Sequence, residues 1–297
     1  IMSTQADKDE VILAVTNIAG DPRVIDGLIA AYDKLVDMGI NTGERWALFL
    51  GNCAHESAMF TRMEENLNYS EQRLLQVWPT RFTRANARAC AKNPKALANF
   101  VYNGRMGNRP GTDDGWNFRG SGPIQTTGSN NFMNVQNALG LPVWSDPDLL
   151  RSDWRIGFLA AGLFFTTTKY KGQSLLDLSD RMDHKSVCRA INGGEHGLTD
   201  RIANTTAVMQ IMNINEGVTL LPLLKVNQRA SGVKMLRQLL RYCGYTVYNV
   251  TDTFFDAKLY NTVLAFQEAE RMSMDGVVGT ATWMRLRTRA AGAMIGK

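Results

Sequence analysis

Arg45-Trp-Ala-Leu-Phe-Leu-Gly-Asn-Cys-Ala-His-Glu-Ser-Ala-Met-Phe-Thr-Arg-Met-Glu-Glu-Asn-Leu-Asn-Tyr-Ser70 is the stretch from which the fold is read. Asn41 or Thr42 can cap a helix just ahead of it, and Glu44 suits both a capping box and the helix dipole. Trp46, Phe49, Leu50 and Cys53 follow at the i, i+3, i+4, i+7 spacing of a buried stripe. Glu56 comes one turn later, at the edge of that stripe, where a carboxyl is costly to ionise. Glu65 then opens the polar segment Glu65-Asn-Leu-Asn-Tyr-Ser70, which predicts a loop. Two carboxyls in unlike surroundings are the arrangement for one acid and one base. A solvated helix-end glutamate is the plainer reading of Glu56. Glu64 stands beside Glu65, and spacing alone does not separate the two.

Upstream, Glu10–Ile18 reads as one helix. Asp21-Pro22 starts another, with Val24, Leu28, Ala31 and Leu35 on one face and Gly39 at its end. Downstream, short helices are expected over Glu71–Trp78 and Arg81–Ala91, and from Asn93-Pro94 through Tyr102. The texture changes at Asn103. From there to Asn131, Gly, Asn and Asp punctuate the chain, and Arg119, Gln125, Thr127 and Asn131 sit among Gly120, Gly122 and Gly128. Polar groups on a Gly-rich backbone suit a sugar or peptide, and the GxxxxGK[ST] phosphate-loop pattern is absent. Leu149–Tyr170 is expected to be a core helix and Leu175–Ile191 an amphipathic one. Asp200-Arg201 opens a last helix to about Met212. A linker is expected over 216–228. Beyond it, three short helices with two Asp/Gly turns make a unit of about 65 residues, near the lower size limit for independent folding. The third of these helices is expected to be capped by Thr280.

At 297 residues, 44% apolar and 21% charged, the chain has ordinary globular composition and room for two domains. No apolar run approaches the roughly 20 residues needed to span a bilayer. Ile1 before Met2 predicts Met2 as the natural start. The first ten residues lack the basic region and apolar core of a secretory signal. Cys53, Cys90, Cys188 and Cys243 form no CxxC pair and read as thiols rather than a disulfide framework. His55-Glu56 begins like HExxH, but position 59 is Met, so no metal is implied. From Lys225 onward there are 11 Lys or Arg against 5 Asp or Glu, while the whole chain carries only +5. The basic C-terminal part therefore suits an anionic polymer or surface. No nucleic-acid motif accompanies that charge.

Four pieces now carry a resemblance. They are Ala54-His-Glu-Ser57, Glu65-Asn-Leu-Asn-Tyr-Ser70, Phe118-Arg-Gly-Ser-Gly-Pro-Ile-Gln-Thr-Thr-Gly128 with Asn131-Phe132, and Ile191-Asn-Gly-Gly194 with Asp200-Arg201. In this order, residues 45–212 resemble the chitinase-like glycoside hydrolases of family 19, especially the lysozyme-type members of phage endolysins. Val233-Lys-Met-Leu236, Gly244-Tyr245, Phe255-Asp256, Val263-Leu-Ala-Phe-Gln267, Asp275-Gly-Val-Val-Gly279 and Thr282-Trp283 resemble the three-helix peptidoglycan-binding module.

The resemblance implies an all-α, lysozyme-like catalytic domain over 1–215 and a wall-binding domain over 229–297. It implies Glu56 as general acid, Glu65 as the base that activates water, and Thr127 as a holder of that water. His55, Tyr69, Arg119, Gln125, Asn131, Asn192 and Arg201 fall at substrate-binding positions, with a cation expected near Glu65. The family inverts, so the carboxyls should lie about 6.5–9.5 Å apart. Ser121, Thr126 and the pair Ala58-Met59 depart from the family pattern, the last replacing a common Gly-Gly. The expectation is an endolysin-type peptidoglycan hydrolase that cuts between MurNAc and GlcNAc. It needs no cofactor and no nucleic acid and works as a monomer. It is made in the host cytoplasm and acts on the periplasmic wall after release. The rivals are a chitinase, a lytic transglycosylase, and a wall-binding protein whose hydrolase domain is dead. The tail Arg285–Lys297 has two readings: a cationic helix that contacts an outer membrane, or, preferred, a solvated helix end.

Overall fold

The computed structural model describes residues 6–212, 223–230, 232–279, 281–283, 285–286 and 289–290. The backbone divides into two compact units, one of Ala19–Thr205 and one of Ile1–Ile18 with Thr206–Lys297. In chain order the elements are α1 (Lys8–Ile18), α2 (Pro22–Asp37), α3 (Gly43–Glu56), α4 (Glu71–Val77), α5 (Arg84–Cys90) and α6 (Pro94–Tyr102). Next come α7 (Asp114–Asn117), α8 (Ser129–Leu139), α9 (Leu149–Ser152) and α10 (Trp154–Thr167). The hairpin β1 (Lys169–Tyr170) and β2 (Gln173–Ser174) leads to α11 (Leu175–Asp180), α12 (His184–Asn192), α13 (Leu198–Ile211), α14 (Gly232–Tyr242) and α15 (Ala257–Ala269). The fold is all-α, as the sequence predicts.

Local chemistry sets most helix starts. Asp21 accepts from the Arg23 N–H with Pro22 at the first turn, Thr42 accepts from Arg45 N–H, and Asn93 accepts from Ala96 N–H. Two expected long helices are each broken in two. Asp153 ends α9 and caps α10 through the Ile156 N–H, so Leu149–Tyr170 is not one helix. Leu175–Ile191 breaks at Met182, which adopts φ 53° before Asp183 caps α12.

The core of the larger unit is aromatic. Tyr32 of α2 stacks on Trp46 of α3 at 5.3 Å, Phe49 meets Phe165 of α10 edge-on at 5.3 Å, and Phe60 packs on Trp154 and Phe158. Such pairs add about 0.5–1.5 kcal/mol each beyond area burial. α13 approaches α3 backbone to backbone at Gly51, where a Cβ would lie 2.3 Å from Thr205 Oγ1. That approach brings Arg201 of α13, one turn earlier, over the C-terminal end of α3.

In the smaller unit, Val233, Leu236, Phe255, Leu259, Val263, Phe266, Val278 and Trp283 are buried. Gln267 ties the Asp275–Thr282 turn through Asp275 Oδ1, the Val277 carbonyl and the Gly276 N–H. The expected linker lies outside the described residues as far as 222. Leu224 pairs with Val278 and Arg229 with Phe254. Thr280 and residues 291–297 of the tail also lie outside the described residues. Arg285 and Arg289 both pair with Glu270, at 3.4 and 2.6 Å. Among the described residues no helix is long and apolar enough to cross a membrane.

Candidate active site

Glu56 is the last residue of α3 and keeps 19% of its side chain exposed. Its Oε1 accepts from Nη2 of Arg201, whose side chain is only 2% exposed. Arg201 also donates Nη1 to Asn52 Oδ1 at 2.9 Å and Nε to the His196 carbonyl at 3.4 Å. Asn192 Nδ2 donates to that same carbonyl at 2.9 Å. Glu56, Asn52, Arg201, His196 and Asn192 thus form one network. Of the two expected catalytic carboxyls, Arg201 is bonded to Glu56. The His55 ring lies against Gly197. Burial, and then the charge of Arg201, push His55 below the ordinary imidazole range, which favours its neutral form.

The chain turns sharply after Glu56. Ser57 is fully buried and pins the turn by donating Oγ to the Cys53 carbonyl and accepting from the Phe60 N–H. Ala58, Met59 and Phe60 then adopt φ 50°, 60° and 58° in succession. This is the left-handed region, which favours glycine, and the Gly-Gly of the family pattern would fit it without strain.

Glu65 lies on a strand-like segment beside the Gly-rich loop. Glu64 bridges Ser121, and Ser121 bridges Thr126. Glu65 N–H donates to the Gly120 carbonyl at 3.0 Å, and Gly120 N–H returns a 2.5 Å bond to Glu65 Oε1. A Cβ on Gly120 would stand 3.2 Å from the Glu65 carboxyl carbon and 2.8 Å from Gln125 Oε1, so glycine permits this approach. The second oxygen, Oε2, accepts from the Tyr102 hydroxyl at 2.7 Å. Burial and the adjacent Glu65 push the Tyr102 phenol well above its usual range, so it stays a donor at any working pH. Sequence reasoning missed Tyr102, which reads only as the last residue of a short helix.

Glu64 has another setting. It is 45% exposed and accepts from Arg119 Nε at 2.6 Å. Arg119 is itself buried, donates to the Trp116 carbonyl at 2.7 Å, and stacks 3.7 Å over the Trp116 ring. The loop that holds Glu65 also carries Gln125, which takes φ 59° and donates to the Gly122 carbonyl. Thr127 Oγ1 donates to the Gln125 carbonyl at 2.9 Å, and Asn131 Nδ2 donates to the Thr127 carbonyl at 2.8 Å. Tyr69 is half-buried and packs on Trp78 at 5.4 Å. Ser121, where the family pattern often has Arg, accepts from Arg151 Nη1 at 2.8 Å.

The two carboxylates are held differently, Glu56 by a buried guanidinium and Glu65 by two neutral donors. A "Glycosyl hydrolase family 19 domain-containing protein" of Haemophilus influenzae is 29% identical over 191 residues, spanning 63% of this chain and 90% of that one. Over that span this chain is similar to a family 19 glycosyl hydrolase domain. "Chitinase 8" of Oryza sativa subsp. japonica is 38% identical to this chain over 61 residues, 20% of this chain and 23% of that one. Residues 229–286 match the family model described as "Putative peptidoglycan binding domain". Among solved structures, a bacterial family 19 chitinase is similar with a TM-score of 0.47 and 16% identity, over 71% of this chain and 97% of that one. Chitinase C from Streptomyces griseus is similar with a TM-score of 0.43 and 17% identity, over 70% of this chain and 76% of that one.

Proposed function

We propose that this glycoside hydrolase cleaves the β-1,4 bond between MurNAc and GlcNAc of bacterial peptidoglycan with inversion, and so lyses the cell from the periplasmic side of its wall. The observation that carries the proposal is the unlike pair of carboxyls. Among the described residues Glu56 is gripped through Oε1 alone. Oε2 can carry a proton and deliver it to the glycosidic oxygen as the C1–O bond breaks. Glu65 accepts two hydrogen bonds from neutral groups. A carboxylate has about four lone-pair sites, so it can still take a proton from a water attacking C1 on the opposite face. Glu64, bound to Arg119, is less suited to that role. The hydroxyl of Thr127 and the amides of Gln125 and Asn131 lie on the loop that holds Glu65 and are assigned to water and sugar. The substrate choice rests on residues 229–286, whose basic surroundings suit an anionic wall polymer.

A chitinase with the same acid–base pair is the rival. Rates on purified sacculi and on GlcNAc oligomers of matched length separate them. Faster release of ends from sacculi supports the proposal, and turnover of GlcNAc oligomers alone refutes it.

A further inference from the structure

The smaller unit contains a cavity of about 830 Å³ between the loop after α14 and the start of α15. Its lining includes Arg237, Tyr248, Asn249, Lys258, Asn261 and Thr262. A second cavity, of about 530 Å³, shares Tyr248 and Asn249 with the first and adds Arg241. The loop between them is held from beneath. Arg237 is 3% exposed, and it donates Nη1 to the Tyr248 carbonyl at 3.0 Å and Nη2 to the Phe254 carbonyl and Asp256. Among the described residues its Nε has no partner. Tyr248, in contrast, is 68% exposed, although it borders both cavities. A large exposed ring on a loop whose backbone is fixed by a buried guanidinium is a surface that apolar packing within the domain does not explain.

We infer that this paired cavity is where the domain takes hold of a peptidoglycan strand, with a sugar ring on the face of Tyr248 and a stem-peptide carboxylate at Lys258. Three features favour this class of ligand. Exposed Tyr presents an apolar face for the C–H side of a sugar, while Asn249, Asn261 and Thr262 supply directional donors and acceptors. Arg237 is engaged by Asp256, and Arg241 and Lys258 leave the lining cationic, which suits the free carboxylates of stem peptides. The two cavities share Thr246, Val247, Tyr248 and Asn249, so a chain longer than a single sugar can run through both. The inference rests on the wall-binding reading above, and its test separates the two.

The test uses the full chain with Glu56→Gln, so that the substrate survives, and measures co-sedimentation with purified sacculi. Tyr248→Ala and Lys258→Glu are each expected to weaken binding about tenfold, the effect of losing one contact worth about 1.4 kcal/mol. Both side chains are exposed, and an unchanged urea midpoint certifies that the variants are folded. On sacculi stripped of stem peptides by an amidase, Lys258→Glu should bind as its parent does and Tyr248→Ala should stay weaker. Parent-like binding of both variants to intact sacculi overturns the inference while leaving wall binding in place. A Lys258→Glu defect that survives stripping overturns the carboxylate assignment. A parent that fails to sediment overturns the wall-binding reading and this inference with it.

Discussion

Arg201 and Glu56 are 145 residues apart in the chain and form a part-buried, charge-assisted hydrogen bond at the junction of α13 and α3. Arg201 also satisfies Asn52 and the His196 carbonyl, so one guanidinium joins three segments. Removing one member of a buried pair leaves the other charge uncompensated. Arg201→Met is expected to destabilise the chain by about 3–5 kcal/mol. Arg201→Lys should recover only part, because an ammonium lacks the fork that reaches Asn52 and Glu56 together. Urea denaturation checks both. A wild-type midpoint for Arg201→Met would show that the pair contributes nothing.

Strain after Glu56 gives a gain-of-stability prediction. Met59 holds φ 60° with 42% of its surface exposed, so replacing it loses little packing. Left-handed backbone costs an L residue roughly 1–2 kcal/mol, and the greater unfolded freedom of glycine offsets part of the gain. Met59→Gly should therefore raise stability by about 0.5–1 kcal/mol. A lowered thermal midpoint would contradict the strain argument. Phe60, at φ 58°, is a poor site for the same change because its ring packs on Trp154 and Phe158.

The helix starts were legible in the sequence because they depend on neighbours. Asp21-Pro22, Thr42 and Asn93-Pro94 each place a cap beside its helix, and the structure uses all three. The breaks at Asp153 and Met182 were not legible. Asp153 reads as a polar residue inside an apolar run, and no Gly or Pro marks the turn at Met182, which takes φ 53°. The site divides in the same way. Glu56 and Glu65 stand out through local texture. Which carboxyl Arg201 binds and the role of Tyr102 were not legible, because those contacts join residues 145 and 37 positions apart.

Tyr102 is a positioning residue for Glu65. Tyr102→Phe removes one donor to the carboxylate and retains the ring that packs against the core cluster of Leu67, Leu97 and Val101. A hydrogen bond to a charged group is worth about 1.5–3 kcal/mol, so kcat should fall roughly tenfold to a hundredfold with KM little changed. An unchanged kcat, or a rise in KM alone, would remove Tyr102 from this role.

Stability should depend on pH in two steps. His55 and His184 both lie below the reference value of 6.5, chiefly through burial. A base with a depressed folded pKa takes up protons more readily when unfolded, so its stabilising effect is complete above that value and is lost as pH falls through the folded pKa. Asp114 and Asp148 lie below the reference value of 3.8, held down chiefly by hydrogen bonds from Arg109 and Arg151. Their contribution is present above 3.8 and is lost only at lower pH. Thermal midpoints should be level from about pH 7 to 8, decline below about pH 6.5, and drop again below about pH 4. A level profile down to about pH 5 would contradict the histidine step.

Digestion of purified sacculi by the wild-type chain and by Glu56→Gln, with mass spectrometry of the new ends, tests the central claim most directly. Reducing MurNAc ends from the wild type and none from Glu56→Gln are predicted. Anhydro ends, free peptides, or full activity of Glu56→Gln would contradict it.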